Sequence, residues 1–302
     1  MMQSQYYSRW KVLGQVLKTT VWIAAGVLVL VQLWKPTQLD TARAALLDQL
    51  QEQRRSRVIA MIHGEDTVSL FGVPVSSFID MEDSESILRA IRLTPPEQPI
   101  DFILHTPGGL VLAAEQIAHA LIEHKGKVTV FVPHYAMSGG TLIALTADEI
   151  VMDPNAVLGP LDPQIDGMPA GSIVKLLEMK PRSQISDEML VLTDVAAKAR
   201  LQLGVFVADV LLKHLPKERA ADLARALTEG RWTHDFPITV EAAKQLGLPI
   251  SVNMPRAIYQ LMDLYPQSGI GRPSVLYVPF RRSSPANPGA GSQDSNPSAR
   301  GE

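Results

Sequence analysis

The chain has 302 residues and a formal net charge of −3, which allows one large domain or two and gives no basic footprint for nucleic acid. It contains no cysteine, which excludes disulfides, thiolate zinc sites and a cysteine nucleophile. Its seven histidines show no His-Glu-x-x-His spacing, so we predict no metal site, and the chemistry considered below needs no cofactor.

The N-terminal segment combines a polar tail, residues 1–11, with an apolar stretch, residues 12–34. The part from Thr19 to Val31 carries no charge, and Lys18 can extend its ammonium group toward a lipid head group. A cleaved signal peptide and a buried core helix are the alternatives, but no small-x-small cleavage site follows. We therefore predict a single-pass membrane protein anchored in the bilayer by residues 12–34, with the side of the remaining chain undecided.

Apolar residues recur at helical spacing between Thr37 and Arg55, which predicts a juxtamembrane helix within residues 35–56. We interpret this helix as a solvated stalk in preference to a partner-binding helix, because its C-terminal part is polar or basic. A domain over residues 57–280 follows. Residues 281–302 are rich in Ser, Pro, Gly and Asn, and we predict a disordered tail there.

Two short apolar runs, Ile100 to Leu104 and Val128 to Val132, each lead into a glycine pair and then into a helical pattern. Such runs, separated by a helix, are typical of adjacent parallel strands. The two glycine turns would then lie side by side at the carboxyl ends of the strands, where open α/β sheets bind ligands. Further strands are predicted at 57–63, 149–152 and 274–279, and helices at 80–91 (capped near Asp83 or Ser84), 111–124, 168–180, 186–215 (interrupted near Gly204), 218–227, 240–246 and 254–265.

Ser138 lies between Met137 and Gly139 at the start of a predicted helix, where a nucleophilic hydroxyl is exposed. The N–H of Gly139 and those of the Gly108-Gly109 turn can together form an oxyanion hole. The alternative is that Ser138 is only a helix N-cap and the glycines are only turns. Because two such motifs converge on neighbouring predicted strands, we favour a catalytic site.

Several spaced motifs, in this order, are similar to the serine dehydrogenase proteinase family: His105–Gly109, Tyr135–Thr141, Ala156–Gln164 and Gly230–Thr239. That family is distantly related to the Clp protease proteolytic subunit and to signal peptide peptidase A, and the likeness extends from about Val58 to Pro279. The resemblance implies an α/β fold of the Clp/crotonase type, with stacked β-β-α units and a largely parallel sheet. It also implies serine endopeptidase activity on a protein or peptide substrate, and a homo-oligomer.

The resemblance leaves the base that activates Ser138 open. The Clp subunit has a histidine where this chain has Asp162, so its triad does not carry over unchanged. The Ser, Asp, His order of the serine dehydrogenase proteinases implies Ser138, Asp162 and His234. The Ser-Lys dyad of the signal peptide peptidases implies Lys180 instead. Lys180 as a solvated surface group, Asp162 as a turn residue and His234 as a packing group are the structural alternatives.

We therefore predict a membrane-anchored serine peptidase that forms an acyl-enzyme at Ser138, with backbone N–H groups of Gly109 and Gly139 as its oxyanion hole. Two other classes stay open. A crotonase-like acyl-thioester enzyme would use the same oxyanion hole without a serine nucleophile, although no coenzyme A clamp is recognisable. A non-catalytic membrane scaffold would retain the fold without the chemistry.

Overall fold

The computed structural model describes residues 18–27, 38–64, 68–70, 73–75 and 78–265. The helices are α1 (residues 18–27), α2 (Gln38–Arg54), α3 (Met81–Arg92), α4 (Val111–Glu123), α5 (Gly139–Ala144), α6 (Ala170–Met179), α7 (Asp187–Leu211), α8 (Lys217–Thr228), α9 (Val240–Gln245) and α10 (Arg256–Asp263). The strands are β1 (Arg57–Ile62), β2 (Val68–Leu70), β3 (Val73–Val75), β4 (Ile100–His105), β5 (Val128–Val132), β6 (Tyr135–Ala136), β7 (Glu149–Met152), β8 (Val157–Leu158), β9 (Gln164–Ile165), β10 (Met168–Pro169), β11 (Ile238–Thr239) and β12 (Ile250–Ser251).

A five-stranded parallel sheet in the order β1-β4-β5-β7-β12 forms the centre of the molecule. Every residue of β4 and β5 is buried, as expected of strands with helices on both faces of a parallel sheet. Their side chains alternate between two cores. Phe102 and Val130 pack with α3, α4, α5 and α7, whereas Ile103 and Phe131 pack with α2 and α10.

A smaller sheet, β11-β8-β6, lies beyond the carboxyl ends of the main strands. After β5 the chain adds β6 to this second sheet and then begins α5, which makes β5-β6-α5 a β-β-α unit. The α/β fold with a largely parallel sheet agrees with the sequence prediction. Neither the small sheet nor β12 was predicted, because strands of two residues carry no periodic signal.

Helix α2 is part of the folded core. Its Leu50 is 1% exposed and packs with Ile258 and Leu261 of α10. Arg43 donates two hydrogen bonds to the carbonyl of Leu264, at 3.1 and 2.7 Å. The interpretation of this helix as a solvated stalk is therefore wrong, because its apolar residues cover one face of the sheet.

The continuity of one helix and the cap of another also differ from the sequence predictions. Helix α7 continues through Gly204, where a Cβ would lie 3.3 Å from Oγ1 of Thr228, so the glycine permits close approach of α8. Helix α3 is capped by Asp80, which accepts from the N–H of Asp83, while the Asp83 carboxylate accepts from the N–H of Asp80. This capping box places the cap before the predicted position.

The predicted anchor, residues 12–34, is described only over residues 18–27, which are helical. Within the described ranges, no helix combines the length and the apolar character needed to cross a bilayer. Residues 1–11, the predicted strand at 274–279 and the predicted tail at 281–302 lie outside the described residues.

Candidate active site

The two glycine turns lie against each other at the carboxyl ends of β4 and β5, which pair in parallel from Ile100 opposite Val128. A Cβ placed on Gly108 would lie 2.6 Å from Cβ of Ser138 and 3.2 Å from the backbone nitrogen of Gly139. The close approach requires glycine at position 108, whose φ is +108°. The sequence prediction that the turns are neighbours is confirmed.

Ser138 connects β6 to α5 in a backbone conformation that residues other than glycine rarely adopt, at φ 49° and ψ −121°. It occupies the N-cap position of α5, yet its side chain makes no capping hydrogen bond. The hydroxyl is therefore not used to satisfy the helix. A serine on a strained strand-to-helix turn is the local geometry of a nucleophile elbow, which exposes the hydroxyl above the sheet.

The backbone N–H groups of Gly109 and Gly139 have no backbone acceptor among the residues that the structure describes. Gly109 is held in place by Ile79, which donates to the Gly108 carbonyl and accepts from the Leu110 N–H, both at 2.8 Å. A Cβ on Gly139 would lie 3.7 Å from the nitrogen of Gly109, so the two donors are close neighbours. Free N–H groups at this spacing can bind a developing oxyanion.

A histidine and an aspartate join this site through the small sheet. Strands β8 and β11 pair antiparallel, with Leu158 opposite Ile238. Asp162 follows Leu158 and His234 precedes Ile238 by the same interval, so the antiparallel register carries them to facing positions. His234 Nδ1 lies 2.8 Å from Oδ1 of Asp162. The Asp162 residue is 1% exposed, whereas a third of the His234 side chain is exposed.

Gln164 completes the surroundings of the aspartate. Its Nε2 donates to the second carboxylate oxygen of Asp162, Oδ2, at 2.7 Å, and lies 3.3 Å from His234 Nδ1. The buried carboxylate is therefore bonded on both oxygens, as a buried charge requires. Sequence reasoning did not identify Gln164, although it lies only two residues after Asp162 in a motif that carried the family resemblance.

Ser138, Asp162 and His234 all line one pocket of about 600 Å³, together with Gly109 and Gly139. Its remaining walls are mostly apolar and include Leu142, Leu161 and Leu203. Lys180 follows the end of α6, is exposed, and does not belong to the pocket lining. The structure thus brings Ser138, Asp162, His234, Gly109 and Gly139 together in this pocket and leaves Lys180 outside it. Gly108, also predicted to contribute an oxyanion donor, is not part of the lining, and its N–H donates to Oγ1 of Thr106 at 3.2 Å.

Two other histidines lie near the turns, and neither is part of the pocket lining. His105, 1% exposed at the end of β4, lies with its ring 4.2 Å from that of Tyr135 and 5.4 Å from that of His134. His134 itself is exposed. Within the described part of the chain, no group of three or more His, Asp or Glu residues is arranged to hold a metal ion.

An α/β protein with a strained serine, a buried aspartate bonded to a partly exposed histidine, and paired backbone donors in one pocket has the arrangement that serine hydrolases use. A family model described as ClpP-like SDH-type serine proteinase matches residues 11–291, and the chain belongs to that family. The resemblance to the serine dehydrogenase proteinases drawn from the motifs is therefore confirmed.

Two relatives are uncharacterised proteins of Methanocaldococcus jannaschii. One is 52% identical over 259 residues, covering 86% of this chain and 91% of that protein. The other is 53% identical over 237 residues, covering 78% and 81%. Among solved structures, ClpP1 from Listeria monocytogenes is similar at a TM-score of 0.43 and 19% identity, covering 68% of this chain and 97% of that chain.

Proposed function

We propose that the protein is a serine endopeptidase in which Ser138 is the nucleophile, His234 the general base and Asp162 the residue that orients the imidazole. The observation that carries this proposal is the shared pocket, in which the Asp162–His234 hydrogen bond faces the same cavity as Ser138. A serine hydroxyl needs such a base, because it is a weak nucleophile until its proton is taken.

In the proposed reaction, Ser138 Oγ bonds to the carbonyl carbon of the scissile peptide while its proton passes to His234. The carbonyl oxygen becomes an oxyanion held by the N–H groups of Gly109 and Gly139. The C–N bond then breaks, and the leaving amine takes the proton from His234. Water attacks the acyl-enzyme in the same manner, with His234 as base, and releases the acid and Ser138.

The hydrogen bond between Asp162 and His234 determines which ring nitrogen of His234 carries the proton. A carboxylate only accepts hydrogen bonds, so the bond to Asp162 places a proton on His234 Nδ1. Nε2 of the neutral ring is then unprotonated and available as the base. His234 is preferred to Lys180 as the base, since Lys180 is solvent-exposed outside the pocket lining.

Labelling with a fluorophosphonate, which reacts with activated serines, tests the nucleophile. Wild-type protein should label, and Ser138→Ala should not. Ser186→Ala is a matched control, because Ser186 caps α7 by accepting from the Met189 N–H. Its loss should cost about 1 kcal/mol of stability without preventing labelling. Full labelling of Ser138→Ala would refute the assignment, and an unlabelled wild type would favour a crotonase-like or non-catalytic role.

We also propose that residues 12–34 anchor the protein in a membrane, on the strength of the uncharged run from Thr19 to Val31. The full chain should stay with the membrane fraction after carbonate washing, and a chain that starts at Thr37 should be released. Recovery of the full chain from the soluble fraction without detergent would rule the anchor out.

A homo-oligomer is proposed from the exposed apolar side chains on α7, where Leu201 is 69% and Val205 55% exposed. Apolar surface of this kind is typical of protein interfaces. Replacing both residues with glutamine should lower the mass measured by light scattering. The control is Leu93→Gln, because Leu93 is 71% exposed outside α7 and should not affect assembly.

A further inference from the structure

A second histidine–aspartate pair lies behind the Gly108-Gly109 turn, and the proposed reaction does not use it. Nδ1 of His63 lies 2.7 Å from Oγ1 of Thr106, and its Nε2 lies 3.2 Å from Oδ2 of Asp83. Thr106 is fully buried and His63 is 8% exposed. Buried polar side chains linked in this way hold their neighbours in one geometry.

Thr106 contacts both turns of the site. Its Oγ1 accepts a hydrogen bond from the Gly108 N–H at 3.2 Å. Its backbone carbonyl accepts from the N–H of Met137, the residue before Ser138, at 3.0 Å. Its methyl group, Cγ2, lies 2.5 Å from the position that a Cβ on Gly140 would occupy. The side chain and backbone of one residue therefore fix the spacing between the two turns.

The directions of the hydrogen bonds follow from the groups themselves. Because the Asp83 carboxylate only accepts, His63 donates from Nε2 and, in the tautomer with its proton there, Nδ1 accepts from the Thr106 hydroxyl, whose oxygen also lies 3.4 Å from the carbonyl of Gly108. A lone pair of that hydroxyl receives the Gly108 N–H. The chain of bonds thus runs without a break from the glycine turn to the capping box of α3.

The hydrogen bonds of Asp83, at the other end of this series, lead back to the Gly108-Gly109 turn. Oδ2 of Asp83 also accepts from the N–H of Asp80 at 3.1 Å. The preceding residue, Ile79, bonds the carbonyl of Gly108 and the N–H of Leu110. Gly109 is therefore flanked by two supports that are joined through His63. A glycine pair has little conformational preference of its own, so its geometry depends on such supports.

We propose that His63 is a positioning residue of the oxyanion hole, which acts through Thr106 to hold the Gly109 N–H in line with that of Gly139. This inference rests on the proposed peptidase function and adds to it a part that is remote from the nucleophile. Its catalytic effect would be large, since a misplacement of about 1 Å costs roughly 100-fold in rate.

The test compares three variants. His63→Leu and Thr106→Val each remove a member of the hydrogen-bond series, whereas Thr106→Ser keeps the hydroxyl and removes only the methyl group. The first two should lower the maximal rate of fluorophosphonate labelling about 10- to 100-fold and leave the half-saturating concentration unchanged. Thr106→Ser should label within about threefold of wild type, because it keeps the bond to Gly108.

A second readout isolates the oxyanion. Oγ of Ser138 can bond to the aldehyde carbon of acetyl-Leu-Leu-norleucinal while its proton passes to His234, which leaves the former carbonyl oxygen as an oxyanion. The matching alcohol has no carbonyl group and cannot react in this way. In His63→Leu the aldehyde should bind weaker by the same factor as the loss in labelling rate, with affinity for the alcohol unchanged. A residue that only stabilises the fold would affect both ligands together.

The matched control is His124→Leu. His124 Nε2 bonds the carbonyl of Gln98 at 2.7 Å, at the amino ends of β4 and β5 and away from the site. It should lower the melting temperature as His63→Leu does, without changing the labelling rate. If wild type labels, and His63→Leu and Thr106→Val both label as fast as wild type, only the inference about His63 fails. If wild type does not label, the peptidase proposal fails and the oxyanion hole with it.

Discussion

His234 and Asp162 are separated by 72 positions in the chain, yet Nδ1 of the first lies 2.8 Å from Oδ1 of the second. The contact depends on two strands of two residues each, β8 and β11, whose antiparallel register sets the residues opposite each other. A side-chain pair beyond such short strands is held mainly by its own bonds, including that from Gln164 to Asp162.

The identity of the base can be tested by two substitutions. We expect His234→Gln to reduce acylation by several orders of magnitude, because the proposed mechanism assigns the serine proton to His234. Lys180→Met should keep the wild-type rate, since Lys180 is exposed and outside the pocket lining. Acylation is followed by fluorophosphonate labelling, with folding checked by circular dichroism. The opposite ranking of the two variants would assign the base to Lys180.

Asp162→Asn should keep the fold and reduce turnover by roughly 10⁴-fold, the loss typical when the acid of a triad becomes an amide. The amide can donate to His234 Nδ1 and so favours the wrong tautomer of the ring. Gln164→Met is the companion variant, which removes the bond to Asp162 Oδ2 and the longer contacts of Nε2 with the Asp162 carbonyl and with His234 Nδ1. Its smaller effect on peptide hydrolysis would be consistent with support of the carboxylate, and unchanged activity in Asp162→Asn would argue against any triad.

Gly108→Ala should abolish labelling and lower stability. Its Cβ would lie 2.6 Å from Cβ of Ser138, and alanine at a φ of +108° is strained by on the order of 1–3 kcal/mol. Gly247→Ala serves as the control, because Gly247 also has a positive φ, of +87°, and a Cβ there meets the side chains of Leu215 and Arg219. The melting temperature should fall in both variants, but only Gly108→Ala should lose reaction with the fluorophosphonate probe.

Stability should fall in mild acid because of His214. Burial lowers the pKa of His214 below its usual value of 6.5, and the ring lies 3.0 Å from the carbonyl of Leu145. The unfolded chain therefore binds a proton more readily than the folded protein. The contribution of His214 to the free energy of unfolding is therefore complete above about pH 6.5, and it decreases as the pH falls below that value.

His214→Gln can still donate to Leu145 but cannot titrate, so its urea midpoint should change less between pH 7.5 and pH 5.5 than that of wild type. His119→Gln, on the exposed face of α4, should keep the wild-type change. An identical pH response in wild type and His214→Gln would show that other groups cause the acid sensitivity.

Local signals made much of this architecture predictable. The strands from Ile100 and Val128, the helix from Val111 and the neighbouring glycine turns all follow from periodicity and turn chemistry within short windows. The choice between His234 and Lys180 could not be made in the same way, since it depends on a pairing between distant two-residue strands. The packing of α2 was misjudged because apolar residues at helical spacing do not reveal which part of the protein covers them.

His63 escaped the sequence analysis for a related reason. It follows β1, 43 positions before Thr106, and a single histidine after a strand has no recognisable spacing to the turn that it contacts. The parallel pairing of β1 with β4 brings the two together, and that pairing is visible only in the folded chain.

The backbone conformation of Ser138 lowers the stability of the folded protein at the proposed nucleophile. A side chain at φ 49° and ψ −121° costs on the order of 1–3 kcal/mol, whereas glycine adopts that conformation freely. Ser138→Gly should therefore melt at a higher temperature than wild type while being inactive, and Ser138→Ala should not gain in this way. A search for more stable variants that ignored function would tend to discard the nucleophile.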